Sequence, residues 1–127
     1  NGRRLGASVE WAEGDLLEGA GGGWDAVLSN PPYVSEAEWA GLAPGVRDWE
    51  PKMALTPGGD GLGAIRRLAA QARKALAAGG VLWMEIGEGQ GAAAAEIVRG
   101  TGRFAEVRVG RDFTGKERWV RGRIGVG

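Results

Sequence analysis

Asp25-Ala26-Val27-Leu28-Ser29-Asn30-Pro31-Pro32-Tyr33 is a short apolar run that stops abruptly on two prolines. Ala26 to Leu28 have the composition of a short buried β-strand. Pro31 forces Asn30 out of the helical region and neither proline can donate to a ladder, so the strand ends with Ser29 and Asn30 at its carboxyl tip. Upstream, Gly19 to Gly23 form a flexible turn, preceded by a β-prone stretch from Val9 to Trp11 that ends in Gly14-Asp15. Downstream, Glu36 to Trp39 predict a helical turn, and Pro44, Pro51 and Pro57 make the stretch to Gly59 a long irregular loop, of the kind that usually carries function.

From Gly61, residues Leu62, Ile65, Leu68, Ala69, Ala72 and Leu76 fall at helical spacing, with Arg66, Arg67, Arg73 and Lys74 between them. Asp60 reads as the N-cap of this helix and Gly79-Gly80 as its stop. Val81-Leu82-Trp83-Met84 and Ile86 are nearly continuous apolar sequence, the pattern of a strand covered on both faces of a parallel sheet. A second helix is expected from about Gly91 to Val98. Val107 and Val109 then alternate with Glu106 and Arg108, residues 118–124 alternate again, and the short stretch around Gly115 suits a hairpin. The order strand, strand, helix, strand, helix, hairpin predicts an α/β fold: a parallel sheet with helices on both faces and an antiparallel C-terminal edge. Ligands of such sheets bind beyond the carboxyl ends of the strands, where Asp15 and Asn30 both fall.

Composition narrows the chemistry. The 127 residues make one domain or less, and 16 basic side chains balance 16 acidic ones, so there is no bulk positive field for nucleic acid or anionic lipid. Without Cys or His, thiolate zinc sites, Cys nucleophiles and imidazole bases are excluded and no metal site is expected. Proton chemistry falls to carboxylates, Tyr33, amines, amides or backbone. A 43% apolar content argues against disorder. No run reaches the roughly 18 apolar residues of a membrane span and nothing reads as a signal peptide, so a soluble, cytoplasmic protein is expected. The 25 glycines, about three times ordinary usage, belong to turns and helix ends. From Arg99 onward basic residues (Arg99, Arg103, Arg108, Arg111, Lys116, Arg118, Arg121, Arg123) outnumber acidic ones (Glu106, Asp112, Glu117), which reads as a solvated hairpin facing an acidic body or as a partner-docking edge.

Asn30 to Tyr33 carry the chemistry. Two prolines fix the backbone, so the Asn30 side-chain oxygen and the Pro31 carbonyl form a rigid pair of acceptors beside the flat face of Tyr33. That arrangement suits a planar NH2-bearing group, whose two donors meet two acceptors while its plane stacks on the ring. The competing reading is a proline-rich turn with Tyr33 packed in the core. A second match, Gly87-Glu88-Gly89-Gln90-Gly91-Ala92 with Asp112 beyond it, fits a dinucleotide fingerprint. Glu88 would set a carboxylate beside the pyrophosphate, and the unit normally opens a domain. We therefore read Gly87 to Gly91 as a strand-to-helix turn, with Glu85 and Glu88 solvated or lining the substrate cleft. Glu50 is a candidate partner of the Asn30 loop, and Trp39 and Trp49 are candidates for peptide contact.

The motifs together resemble a known family. Asn30-Pro31-Pro32-Tyr33 after a strand is similar to the signature of class I S-adenosylmethionine methyltransferases that modify exocyclic or amide nitrogen. Asp48-Trp49-Glu50-Pro51, Ala54-Leu55 and Gly58-Gly59-Asp60-Gly61-Leu62 resemble the continuation found in protein-(glutamine-N5) methyltransferases of the HemK/PrmC family, which has a sister acting on a ribosomal protein. Arg111-Asp112-Phe113-Thr114-Gly115-Lys116-Glu117-Arg118 with Gly122-Arg123 favours the release-factor branch. The resemblance implies methyl transfer from S-adenosylmethionine to the glutamine of the Gly-Gly-Gln loop of class 1 peptide-chain release factors. It implies that Asn30, Pro31, Pro32 and Tyr33 bind the target glutamine with Asn30 also near the cofactor, and that Asp15 and Leu16 hold the adenine ring.

The family's glycine-rich first loop, ribose-binding acidic residue and N-terminal helical domain have no counterpart in this chain. The opening Asn1-Gly2-Arg3-Arg4 lacks a start Met. Residues 1–127 are thus expected to be the C-terminal portion of a catalytic domain: a Rossmann-like class I methyltransferase sheet, incomplete at the N-terminus, with a terminal antiparallel β-hairpin. Two strands would be missing between Val9–Trp11 and the Asn30 strand, and the piece alone should bind cofactor poorly. The alternatives are methylation of a ribosomal-protein glutamine or of adenine in nucleic acid, or a noncatalytic fragment that binds protein or RNA. Neutral charge disfavours direct nucleic-acid binding.

Overall fold

A computed structural model describes residues 2–56 and 58–127; Asn1, and Pro57 of the expected proline-rich loop, lie outside the described residues. The strands are β1 (Trp24–Ser29), β2 (Leu76–Glu85), β3 (Phe104–Arg111) and β4 (Glu117–Ile124), and the helices α1 (Glu36–Ala40), α2 (Pro44–Arg47), α3 (Lys52–Leu55), α4 (Gly63–Ala75) and α5 (Gly91–Gly100). They build one mixed sheet of order β1-β2-β4-β3. β1 and β2 are parallel, with Val27 opposite Leu82 and Ser29 opposite Met84. β4 runs antiparallel to both β2 and β3, and its Val120 stands opposite Met84 on one side and Val109 on the other.

The core lies between this sheet and the two long helices. α4 buries Ile65, Leu68, Ala69 and Ala72, and α5 buries Ala94, Ala95 and Val98, against Val27, Leu82, Met84, Val120 and Ile124. Small alanines let helix and sheet approach closely. Gly122 of β4 serves the same end, since a Cβ there would come within 2.8 Å of both Val98 and the Phe104 ring.

Several expectations are corrected. α4 and α5 contact each other as well as the sheet, so both occupy one face rather than opposite faces. On the other face Leu28 is 77% exposed and Trp83 40% exposed. The Ala26–Leu28 strand, expected to be buried, is instead one of the two edge strands of the described sheet, with only Val27 buried. Val9 to Trp11 form no strand; the stretch is exposed and no neighbouring strand among the described residues offers it a ladder.

The boundaries of α4 also differ. Leu62 is its N-cap, while Asp60 lies outside, accepting from the Leu62 N–H at 3.0 Å and pairing with Arg66. α4 ends where Leu76 turns extended, so β2 begins before Gly79-Gly80. The helical turn expected at Glu36 to Trp39 is present as α1, whereas the stretch from Pro44, expected to be irregular, holds two further short helices, α2 and α3. Pro44 occupies the first turn of α2, where its missing N–H costs nothing, and Ser35 with Glu38 closes a capping box on α1.

Candidate active site

Asn30 to Tyr33 leave the carboxyl tip of β1 and are held from three sides. The Val34 N–H donates to the Leu55 carbonyl at 2.9 Å and the Glu36 N–H to the Gly59 carbonyl at 3.1 Å. Gln90 clamps the loop from the β2–α5 turn: its Nε2 donates to the Tyr33 carbonyl at 2.9 Å while its Oε1 accepts from the Gly87 N–H at 2.9 Å. Gly61 presses on the same carbonyl. It has φ +77°, and a Cβ there would collide with the Tyr33 oxygen.

Pro31 is buried and Asn30 exposed, so the loop is anchored by a proline and presents the amide. Asn30 lines two cavities. One, of about 430 Å³, is a groove formed with Leu28, Ser29, Trp83, Glu85, Arg118 and Trp119. The other, of about 140 Å³, is enclosed by Pro31, Pro32, Tyr33, Val34, Ala54 and Leu55. Trp83 and Trp119 pack with ring centroids 4.7 Å apart at 46°, giving the groove an aromatic wall. A third cavity of about 190 Å³ places Tyr33 with Glu88, Gln90 and Arg118.

The Tyr33 hydroxyl donates to Glu85 Oε1 at 3.1 Å. Burial first, and then the Glu85 carboxylate, raise the Tyr33 phenol above its ordinary range, while the charge of Arg118 acts the other way. Arg118 is itself held by Asp112, with Nε to Oδ2 at 2.9 Å. Asp112 also accepts from the Thr114 hydroxyl at 2.5 Å and from the Thr114 and Lys116 N–H groups. These contacts, the Thr114 hydroxyl foremost, keep its carboxyl far below the usual carboxylate range. Glu88 pairs with Lys116 at 3.0 Å.

Asp15 and Leu16 line neither of the Asn30 cavities. Asp15 pairs with Arg67 of α4, and the adjacent Leu17 N–H donates to Gln71 at 2.8 Å. Leu16 has φ +57°, a left-handed conformation uncommon outside glycine, and lines a separate cavity of about 170 Å³ with Gly14 and Glu18. Glu50 is exposed, and the support expected of it falls to Leu55, Gly59 and Gln90. Of the two loop tryptophans, Trp39 lies beneath Lys52, 4.4 Å from Nζ to ring centroid, and Trp49 is 86% exposed. Among the described residues no cluster of carboxylates could hold a metal, and no helix is long and apolar enough to cross a membrane.

Gln90, Arg118, Trp83 and Trp119 hold or line the site without having been expected there. In sequence Gln90 is one position of a glycine-rich turn, yet a glutamine one residue before a helix is well placed to bridge backbone groups. The alternation of β4 put Arg118 on a strand without saying that its neighbour would be the end of β2.

No protein-family model matches the chain. Curated proteins do. The chain is 50% identical over 100 residues to the release factor glutamine methyltransferase of Cereibacter sphaeroides, covering 79% of this chain and 36% of the relative. It is 40% identical over 123 residues to that of Bacillus cereus and 42% over 123 residues to that of Bacillus subtilis, covering 94% of this chain in each case and 44% and 43% of the relatives. The chain is related by sequence to the release factor glutamine methyltransferases. It spans about two fifths of the length of these relatives. The sequence relationship to this methyltransferase family covers both the Asn30 loop and the hairpin that supplies Arg118, since the alignments take in nearly the whole chain.

Proposed function

We propose that the chain is the C-terminal portion of the catalytic domain of an enzyme that transfers a methyl group from S-adenosylmethionine to a glutamine side-chain amide in peptide-chain release factors. The observation that carries this reading is Asn30-Pro31-Pro32-Tyr33, fixed at the tip of a parallel strand beside a groove, in a chain whose relatives bear that name. The finer fold assignment, a Rossmann-like class I methyltransferase sheet, belongs to the same proposal. It is supported by the parallel β1–β2 pair, the antiparallel hairpin and the placement of the site beyond the strand ends. The partner in this reading is the Gly-Gly-Gln loop of class 1 release factors. The setting is the cytoplasm, without membrane or direct nucleic-acid binding.

The residues present fit such a donor in part. The groove at Asn30 is lined by Leu28, Trp83 and Trp119 together with the polar Ser29, Asn30, Glu85 and Arg118, and the Asp15 carboxylate, paired with Arg67, stays 53% exposed. When bound, S-adenosylmethionine supplies a methyl group already activated by a positively charged sulfur. What this chain contributes is position. The Asn30 oxygen and the Pro31 carbonyl accept the two N–H donors of the target amide, and Tyr33 walls its plane. An amide nitrogen is a weak nucleophile because its lone pair is delocalised, so holding it in line and stabilising the positive charge that develops on it is the principal gain. Such positioning supplies roughly 7 to 11 kcal/mol at its best. No strong base is needed, because the methylated nitrogen loses its proton readily to water; the lack of His is consistent with the chemistry.

The test is tritium transfer from labelled S-adenosylmethionine by the full-length protein. Label is expected in release factor and absent from its Gln-to-Ala variant. Transfer to nucleic acid or to a ribosomal protein instead would replace the substrate, and failure to bind the donor would sink the methyltransferase reading.

A further inference from the structure

We propose that Glu85 is a positioning residue, which fixes the ring of Tyr33 where it walls the target-amide cavity. The inference rests on the proposed function for the meaning of that cavity, and on geometry for the contact. The β1–β2 register, with Ser29 opposite Met84, sets Glu85 next to Asn30 at the tips of two adjacent parallel strands. Tyr33 turns back from the loop across that gap, and its hydroxyl donates to Glu85 Oε1 at 3.1 Å. Gln90 takes only the Tyr33 backbone carbonyl, so it holds the chain and leaves the ring torsions free. The ring is confined on one edge by Gly87, where a Cβ would come within 3.1 Å of Cδ2, and at its far end by Glu85. A phenol donating to a carboxylate makes a charge-assisted bond, stronger than a neutral pair and directional. The other charged groups that share a cavity with Tyr33 are Glu38, Glu88 and Arg118; they are engaged with Ser35, Lys116 and Asp112 respectively and make no hydrogen bond to its hydroxyl.

Tyr33 is the single tyrosine of these 127 residues, and in the full-length enzyme its phenolate absorbance is read as the difference between otherwise identical proteins with and without Tyr33→Phe. Glu85→Ala is expected to lower the titration midpoint of Tyr33, and Glu85→Gln to lower it as well while keeping an acceptor. In the full-length enzyme, Glu85→Ala should reduce kcat for release-factor methylation by roughly ten-fold or more, with a smaller change in KM. Glu85→Gln should recover most of that loss. In a Tyr33→Phe background Glu85→Ala should add nothing, since its effect runs through the hydroxyl. An unmoved Tyr33 titration in both Glu85 variants would overturn the proposal, as would full additivity of Glu85→Ala and Tyr33→Phe. If Glu85→Ala does not fold, the titration and kcat of Glu85→Gln carry the same decision. Absence of methyl transfer by the unmutated enzyme would instead overturn the proposed function, and the absorbance titration would still decide whether Glu85 governs Tyr33.

Discussion

Asn30 and Gly61 stand on opposite sides of one loop and should fail in different ways. Asn30 is exposed and carries a side chain into the groove, so Asn30→Ala is expected to leave stability unchanged and to cost roughly 100-fold in turnover. Urea denaturation together with methyl-transfer kinetics of the full-length enzyme checks both halves. Gly61 touches no substrate in this reading. At φ +77° with the Tyr33 carbonyl against it, Gly61→Ala must strain the backbone and push the loop, a loss of about 1–3 kcal/mol that should appear as a lower urea midpoint at unchanged slope. The residues on the chain's own turn were legible because consecutive prolines dictate local geometry. Gln90 was not, because its partner Tyr33 is 57 positions away and only the folded sheet brings them together.

Helix α4 and the β3–β4 hairpin could be read from sequence because their periodicity is local and long enough to outvote single residues. Val9 to Trp11 mislead for the complementary reason: β-propensity reports a fit to a pleated surface, and here no such surface is offered. Of the short helices after Tyr33, α1 was legible, while α2 and α3 escaped because each has too few residues for a periodic signal and prolines that look like breakers serve as starts. Asp60 shows how a capping residue can be right in kind and displaced in position. The Arg66 side chain and then the Leu62 N–H hold its carboxyl down at about 2, below the ordinary value of 3.8. A carboxyl depressed in the folded state stabilises fully above its unfolded value and loses that contribution as pH falls toward the folded one. The stability difference between the unmutated chain and Asp60→Asn, followed by chemical denaturation from pH 5 to 2, is therefore expected to shrink across the lower part of that range. A constant difference would show that Asp60 does not hold the start of α4.

The expectation of helices on both faces rested on the alternating order of strands and helices, and the apolar continuity of Val81 to Met84 agreed with it; that continuity has another outlet. Leu28 and Trp83 are register partners, both exposed, on the sheet face opposite the helices. Contiguous exposed apolar surface of this kind marks a binding or packing surface. The 127-residue chain is expected to bind a dye such as anilinonaphthalene sulfonate while natively folded, and Leu28→Lys to reduce that binding without lowering the unfolding temperature. Dye binding equal in the two proteins would place the apolar surface elsewhere. Composition could not reveal this face, since an apolar strand looks the same whether one side or both are covered.

The sheet order β1-β2-β4-β3 also has a bearing on how the protein is made. β4 is the strand that joins the parallel pair to β3, and it leaves the ribosome after every other strand described. Until residues 117–124 emerge, the β2 edge that β4 covers is open and β3 lacks the partner it pairs with among the described strands. At roughly 5–20 residues per second, that interval lasts seconds, during which the apolar strand ends are exposed to chaperones and to other chains.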